Sequence, residues 1–352
     1  MNVDLPAGTR NYSYAKDMAI FRTKTHWALL AALLVFVFTG PLYWGNHWLS
    51  VANLIGITII AVTGLNILTG YCGQLSIGHA GFIAVGAYTS AVLTSRLELP
   101  FLVGLICAGL VTGLVGMIFG TPSLRVKGFY LAISTIAAQF IIIWVINHWS
   151  SITGGFNGIR VPPASIGGIT IVSQASQFYL IMVITAVVVY LAKNLARTRV
   201  GRAFVAIRDN DLAAEVMGIN LFRYKLIAFF IGCFLAGIAG SLLAHWIGFI
   251  NAENFTFMDS ILYIGMIIIG GLGTAVGPIF GAIFIRMLQQ GITFISPVLE
   301  GSFVGLPAGF TTGIGPMVFG LVIVLFLILE PRGLAHRWAL FKASYRLWPF
   351  SY

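Results

Sequence analysis

Long apolar runs joined by short polar connections dominate the chain. They fall at 27–44, 50–69, 77–94, 101–120, 129–147, 176–192, 226–248, 259–275, 277–290 and 304–329. A bilayer-crossing helix needs about 20 predominantly apolar residues, so the pattern predicts an all-α polytopic membrane protein with about ten transmembrane helices. Gly, Pro and polar residues interrupt three of the runs, at 70–90 (GYCGQLSIGHAGFIAVGAYTS), 270–284 (GGLGTAVGPIFGAIF) and 306–316 (LPAGFTTGIGP). Lipid cannot satisfy free backbone N–H and C=O groups, so such segments must be buried in protein or line a wet cavity. Interruptions in both halves of the chain predict broken or short helices around a central pathway, built from two related bundles. Small residues placed for close helix packing account for part of the same glycines.

Composition agrees with this class. Hydrophobic residues make up 59% and charged residues 9% of the 352 positions, against roughly 45–50% and 25% in soluble domains. The expected organisation is a cytoplasmic segment at 1–26, a transmembrane domain at 27–330 and a cytoplasmic tail at 331–352. The net charge of +10 points to topology rather than to nucleic acid, because basic residues concentrate at the edges of apolar runs, as the positive-inside rule requires. With the amino terminus inside, an alternating path also places Arg125, Lys127 and the tail residues Arg332, Arg337, Lys342 and Arg346 inside. The 148–176 loop, with Arg160 alone, is then outside. Cys72, Cys107 and Cys233 lie in or beside apolar segments without close spacing and read as small core residues.

One polar stretch stands apart. Residues 193–225 hold Lys193, Arg197, Arg199, Arg202, Arg208, Arg223 and Lys225 with Asp209, Asp211 and Glu215, ten of the thirty formal charges. A lipid-embedded protein keeps such a segment for something in water, and the simplest candidate is another protein. The chain has no Gly-Lys dipeptide and hence no P-loop, and no HExxH, GxSxG or CxxC. His79 and Arg286 lie inside apolar runs, with Asp259 and Glu330 at edges, whereas ion-coupled carriers usually need buried carboxylates. Arg286 costs about 2.5–3.5 kcal/mol at midspan, and in this topology it lies toward the outer end, where snorkelling suffices. These absences leave a passive channel or the membrane part of a multi-subunit pump. A polytopic enzyme is disfavoured, since no His, Asp or Cys constellation is clustered.

Within the island, Asp209, Asn210 and Asp211 are cap residues ahead of good helix formers, and Gly218 is a terminator. The spacing predicts a surface helix of two to three turns with Leu212, Val216 and Met217 as a narrow apolar patch. Such a patch can seat in a groove of a soluble partner; a capped helix resting on the membrane would use the same residues. The run GRAFVAIRDNDLAAEVMGIN (201–220) closely resembles the cytoplasmic loop of ABC-importer permeases of the branched-chain amino acid class, the LivM type. GLNILTGYCGQLSIGHAGFIAVGAYTSAVL (64–93), TPSLRVKGFYLAISTIA (121–137), TGGFNGI (153–159), IGGLGTAVGPIFGA (269–282) and EPRGLA (330–335) resemble segments of that family in the same order. Leu212 stands where the general docking motif has an acid, while Ala213, Ala214 and Gly218 keep its small-residue spacing.

The resemblance implies a subunit that works by alternating access with a second related permease, two cytoplasmic ATPases that bind ATP and Mg, and a periplasmic binding protein. This chain itself would hold no cofactor, no metal and no catalytic residue, in a bacterial inner membrane with both termini cytoplasmic. It places ATPase docking on Arg208, Asp209, Ala213, Ala214, Glu215 and Gly218. Candidate pathway residues are Asn66, Gln74, Ser76, His79 and Tyr88, polar groups in or beside the glycine-rich second and third spans. His79, between Gly78 and Ala80, reads as a structural histidine ahead of a substrate contact. TGGFNGI, placed outside, could touch the binding protein, although turn chemistry alone asks for the same residues. Branched-chain or other hydrophobic amino acids are the expected substrates, with urea, short amides or small carboxylates as alternatives and an ATP-independent channel or facilitator as the rival of a different class.

Overall fold

The computed structural model describes residues 24–124, 128–302 and 310–347; Arg125, Lys127, most of the first 26 residues and part of the 306–316 interruption lie outside them. Each of the ten apolar runs meets one helix: α1 (Lys24–Thr39), α2 (Asn46–Leu65), α3 (His79–Ser95), α4 (Phe101–Gly120), α5 (Phe129–His148), α7 (Gln174–Leu195), α10 (Leu221–Ile247), α11 (Phe257–Gly270), α12 (Gly277–Ser302) and α13 (Phe310–Leu329). Short helices α6 (Ser150–Thr153), α8 (Arg199–Asp209) and α9 (Asp211–Val216) sit in connections, and α14 (Leu334–Leu347) closes the chain. Among the described residues six helical stretches are long and apolar enough to cross a membrane alone, and α13 with α14, bent by 42°, makes a seventh if the pair is one span. At 16 and 17 residues, α1 and α3 are short for a full span.

Glycine decides which helices lie at the centre. The small residues of α10 let it pack against α2, α3 and α4 at once. A Cβ on Gly237 would stand 2.5 Å from the Ala108 carbonyl oxygen of α4, and one on Gly64 of α2 would stand 2.5 Å from the Gly232 oxygen. Around these contacts Ile60, Val62 and Leu65 of α2 and Phe229, Cys233, Ala236 and Ala239 of α10 are fully buried. Conversely, Leu102, Ile106, Leu110, Leu114 and Ile118 of α4 are exposed. Their four-residue spacing draws one apolar stripe along the outer face, as expected for contact with lipid.

At one end of the bundle, the connection between α5 and α7 folds on itself. Strand β1 (Ile159–Arg160) pairs antiparallel with β4 (Phe249–Ile250) after α10, and β2 (Ala164–Ile166) with β3 (Ile169–Ile171) forms a hairpin. Thr153 of the TGGFNGI motif is buried and its Oγ1 donates to the Ile146 carbonyl at 2.5 Å. Arg96 at the end of α3 donates to the Ser151 carbonyl. Much of the motif therefore clasps the ends of α3, α5 and α10, and Phe156 and Asn157 are its exposed members.

Replacing Gly237 by Leu should destabilise the helix bundle by about 1–3 kcal/mol or more through overpacking. Gly291→Ala, at a position with open space around its Cα, should leave thermal unfolding in detergent nearly unchanged. Equal unfolding midpoints for the two variants would contradict this packing scheme.

Candidate functional site

Three successive helices in the polar island are started by its own side chains. Thr198 Oγ1 accepts from the Gly201 N–H (3.3 Å) at α8, Asn210 Oδ1 from Ala213 (3.0 Å) at α9 and Asn220 Oδ1 from Arg223 (3.0 Å) at α10, each satisfying a donor that a helix start leaves free. The expected single helix of two to three turns is corrected: α9 has six residues, and Arg208 and Asp209 end the separate helix α8. The 199–209 stretch is more than a topology signal. It is amphipathic, with Gly201, Ala203, Phe204 and Ile207 buried. Phe204 and Ile207, at helical spacing behind a Thr cap, were the available clue.

On α9 the two alanines part company. Ala214 faces inward and is buried, while Ala213 and Glu215 face solvent, and Gly218 ends the element at φ +84°. Leu212, Val216 and Met217 are 66%, 87% and 81% exposed. The predicted apolar patch thus stands free on the island.

Arg208 links this element to the interrupted spans. Past Leu65, α2 widens into π-helical turns over Asn66–Tyr71, which frees backbone groups, and the loop 271–276 between α11 and α12 does the same. Buried Asn66 joins the two breaks: its Oδ1 accepts from the Gly273 N–H and its Nδ2 donates to the Thr274 carbonyl, both at 2.9 Å. Arg208 Nη1 donates to the Gly70 carbonyl (3.0 Å) and lies so near Gly273 that a Cβ there would be 2.7 Å away. A Cβ on Gly70 would in turn stand 2.5 Å from the Gly273 nitrogen, so neither break tolerates a side chain. Gly333 of the EPRG turn backs onto Gly271 from the other side, 2.6 Å from a Cβ to the Gly271 nitrogen. At the start of α3, the Ile77 N–H donates to Thr135 Oγ1 and the Ala80 N–H to Ser260 Oγ, both at 2.9 Å, and the Ser260 hydroxyl donates in turn to Gln139 Oε1 (2.7 Å).

Between island and break lies a polar cavity of about 360 Å³, lined by Gln74, Arg208, Asp209, Asp211 and Lys225 among others. Lys225 is buried with its Nζ 4.0 Å from Asp211 Oδ2. Of the candidate pathway residues, Gln74 faces this cavity, whereas Asn66 is committed to the two breaks. His79 is fully buried, with Nε2 3.0 Å from the Ala61 carbonyl and its ring edge-on to Tyr263. Among the described residues, Ser76 Oγ, His79 Nδ1 and Tyr88 Oη are buried without a hydrogen-bond partner, and Tyr88, packed against Phe255, sits apart from the break.

A second cavity, of about 300 Å³, lies between α2, α3, α10, α11 and α12. Thr58, Asn254, Asp259, Tyr263 and Arg286 give it polar walls, and Leu54, Ile57, Ile83 and Leu243 apolar ones. None of the five candidate pathway residues lines it. Here the expectation for Arg286 is corrected: it turns inward, its Nε donating to Thr58 Oγ1 and its Nη1 to Gln289 Oε1, both at 3.0 Å. Asp259 caps α11 in a capping box with Thr256. The sequence signalled both charges, as the ionisable residues in or beside apolar runs, but not that two helices would aim them into one space.

Residues 47–328 match the family model described as the branched-chain amino acid transport system / permease component. The high-affinity branched-chain amino acid transport system permease protein LivM of Escherichia coli K12 is 31% identical over 329 residues, covering 87% of this chain and 74% of that protein. A probable branched-chain amino acid transport permease protein LivM of Methanocaldococcus jannaschii is 24% identical, over 79% of this chain and 90% of its own. The autoinducer 2 import system permease protein LsrC of Escherichia coli O157:H7 is 24% identical over 87% and 86%. Ten apolar helices, two backbone breaks tied together by Asn66 and this match over most of its length place the chain in the family of branched-chain amino acid transport permeases, as a multi-pass membrane protein.

Proposed function

We propose that the chain is the translocating subunit of an ATP-driven importer for branched-chain or other hydrophobic amino acids. It works beside a second related permease, with two ATPases that bind ATP and Mg on the island side and a substrate-binding protein on the other. In a bacterial inner membrane the island and both termini are cytoplasmic. The observation that carries this reading is the exposed patch Leu212, Val216 and Met217 on a helix pair whose Arg208 bonds directly to the broken span.

A free apolar patch on a charged element suits a partner groove, because burying it there removes apolar area from water while the flanking charges stay wet. Displacement of that element pulls on the Gly70 carbonyl through Arg208, and through Asn66 on the second break. Interrupted helices yield at their breaks before packed helices yield along their length. Alternating access then follows as rocking about the break pair, and Ser76, His79 and Tyr88, buried with unsatisfied polar atoms, acquire partners when the path opens along α3.

Val216→Asp and Met217→Asp, at exposed positions that leave the fold intact, should lower copurification of the ATPases about ten-fold or more, the scale of an interface hot spot. Gly218→Val should do likewise by forcing a β-branched residue into the left-handed region, and Ala214→Trp by prising α9 off its seat. Normal assembly and transport in all four variants would overturn the docking assignment.

Arg208→Ala should keep the subunits together yet lower amino acid uptake per ATP hydrolysed in proteoliposomes by about ten-fold, the loss of one charge-assisted bond. Full coupling in this variant would contradict the link to the breaks. Uptake by this chain alone, indifferent to ATP, would establish the facilitator instead.

A further inference from the structure

We propose that the cavity bounded by Thr58, Asp259, Tyr263 and Arg286 seats the substrate in transit, and that it takes an apolar α-amino acid as the zwitterion, α-carboxylate on Arg286 and α-ammonium on Asp259. The proposal rests on the transport reading above and deepens it, because it names the charges and the chemical class they select.

The hydrogen-bond accounting leaves each charge partly open. Both bonds to Asp259, from the Thr256 N–H (2.9 Å) and Oγ1 (2.7 Å), end on Oδ2, so Oδ1 keeps its capacity. Arg286 spends Nε on Thr58 and Nη1 on Gln289 and is also hydrogen-bonded to the Tyr263 side chain, which leaves two of the five N–H donors of a guanidinium open. The two charges line one cavity without forming an ion pair among the described residues. Opposite charges held apart by the protein, each with an open hydrogen-bonding site, are complementary to a ligand whose own charges are separated in the reverse sense. Tyr263 stands within electrostatic reach of both Arg286 and Asp259.

The remaining walls complete the match. Leu54, Ile57, Ile83 and Leu243 offer apolar surface for a side chain, and about 300 Å³ falls at the small end of ligand cavities. A neutral ligand such as urea would leave Arg286 and Asp259 unpaired in a low-dielectric site, and a simple carboxylate would leave Asp259 repelled; both are disfavoured by the cost of uncompensated charge. Arg286 is fixed to α2 through Thr58 while Asp259 belongs to α11. A ligand bridging them therefore spans the two broken elements that Asn66 joins at their other ends, and its occupancy depends on how those elements sit.

The test uses the complete importer in proteoliposomes with labelled leucine and its binding protein. Three quantities are read: subunit copurification, ATP hydrolysis stimulated by the loaded binding protein, and leucine uptake per ATP. Arg286→Gln and Asp259→Asn should each keep assembly and stimulated hydrolysis while lowering uptake per ATP about ten-fold or more. Arg286→Lys should retain an intermediate level, since it keeps the charge but loses the fork. Asp259→Asn preserves the cap of α11 and serves as the folding-safe variant. Uptake per ATP within two-fold of the unmodified importer in both neutral variants, or in Asp259→Asn alone should Arg286→Gln fail to assemble, overturns the proposal. An unmodified importer that hydrolyses ATP on stimulation yet moves no leucine would instead sink the substrate reading, while loss of stimulation would sink the ATP-driven one.

Discussion

Hydrocarbon offers a backbone amide no partner, and this is the constraint to which the rest of the structure answers. Two spans of the chain are broken, at 66–78 and 271–276, so each must find bonds for its freed groups inside the protein. Asn66 meets this demand for both, linking the end of α2 to Gly273 and Thr274 with one buried side chain. An isolated break in lipid would leave each unpaired group costing several kcal/mol. Gly70, Gly273, Gly271 and Gly333 converge there because only backbone can come close enough to backbone.

The charge of the island matters less for orientation than for where it sends one guanidinium. Arg208, at the last turn of α8, reaches into the break and bonds the Gly70 carbonyl, so the water-facing element and the membrane-embedded irregularity share a bond. The Leu212, Val216 and Met217 face stands on the next helix, one residue beyond the Asn210 cap. In the proposed importer, force on that face travels to the breaks through a few residues and needs no long relay.

Much of this was legible from residue pattern. Ten apolar runs gave ten helices because bilayer length and hydropathy act locally, and Asn210 and Gly218 bounded α9 because caps act within one turn. The exposed patch was readable from spacing alone. What sequence could not supply were pairings across long separations. Asn66 reads as a pathway residue because it is a polar group in a glycine-rich span, and its bonds to residues more than 200 positions away have no local signal. Arg286 reads as a snorkelling residue because it lies toward the outer end of its span, whereas Thr58 on α2 holds it inward. The boundary between α8 and α9 was missed because Asp209, Asn210 and Asp211 can all cap, and tertiary burial of Phe204 and Ile207 chose between them.

The central claim is that the docking face and the two breaks move as one body. It is tested most directly by the distance between spin labels at Val216 and Leu272, both exposed, in the assembled importer with and without ATP. The account predicts that this distance stays the same while the distance from Val216 to a label at Phe156, in the connection between α5 and α7, changes. A distance from Val216 to Leu272 that shifts or broadens on adding ATP would contradict it.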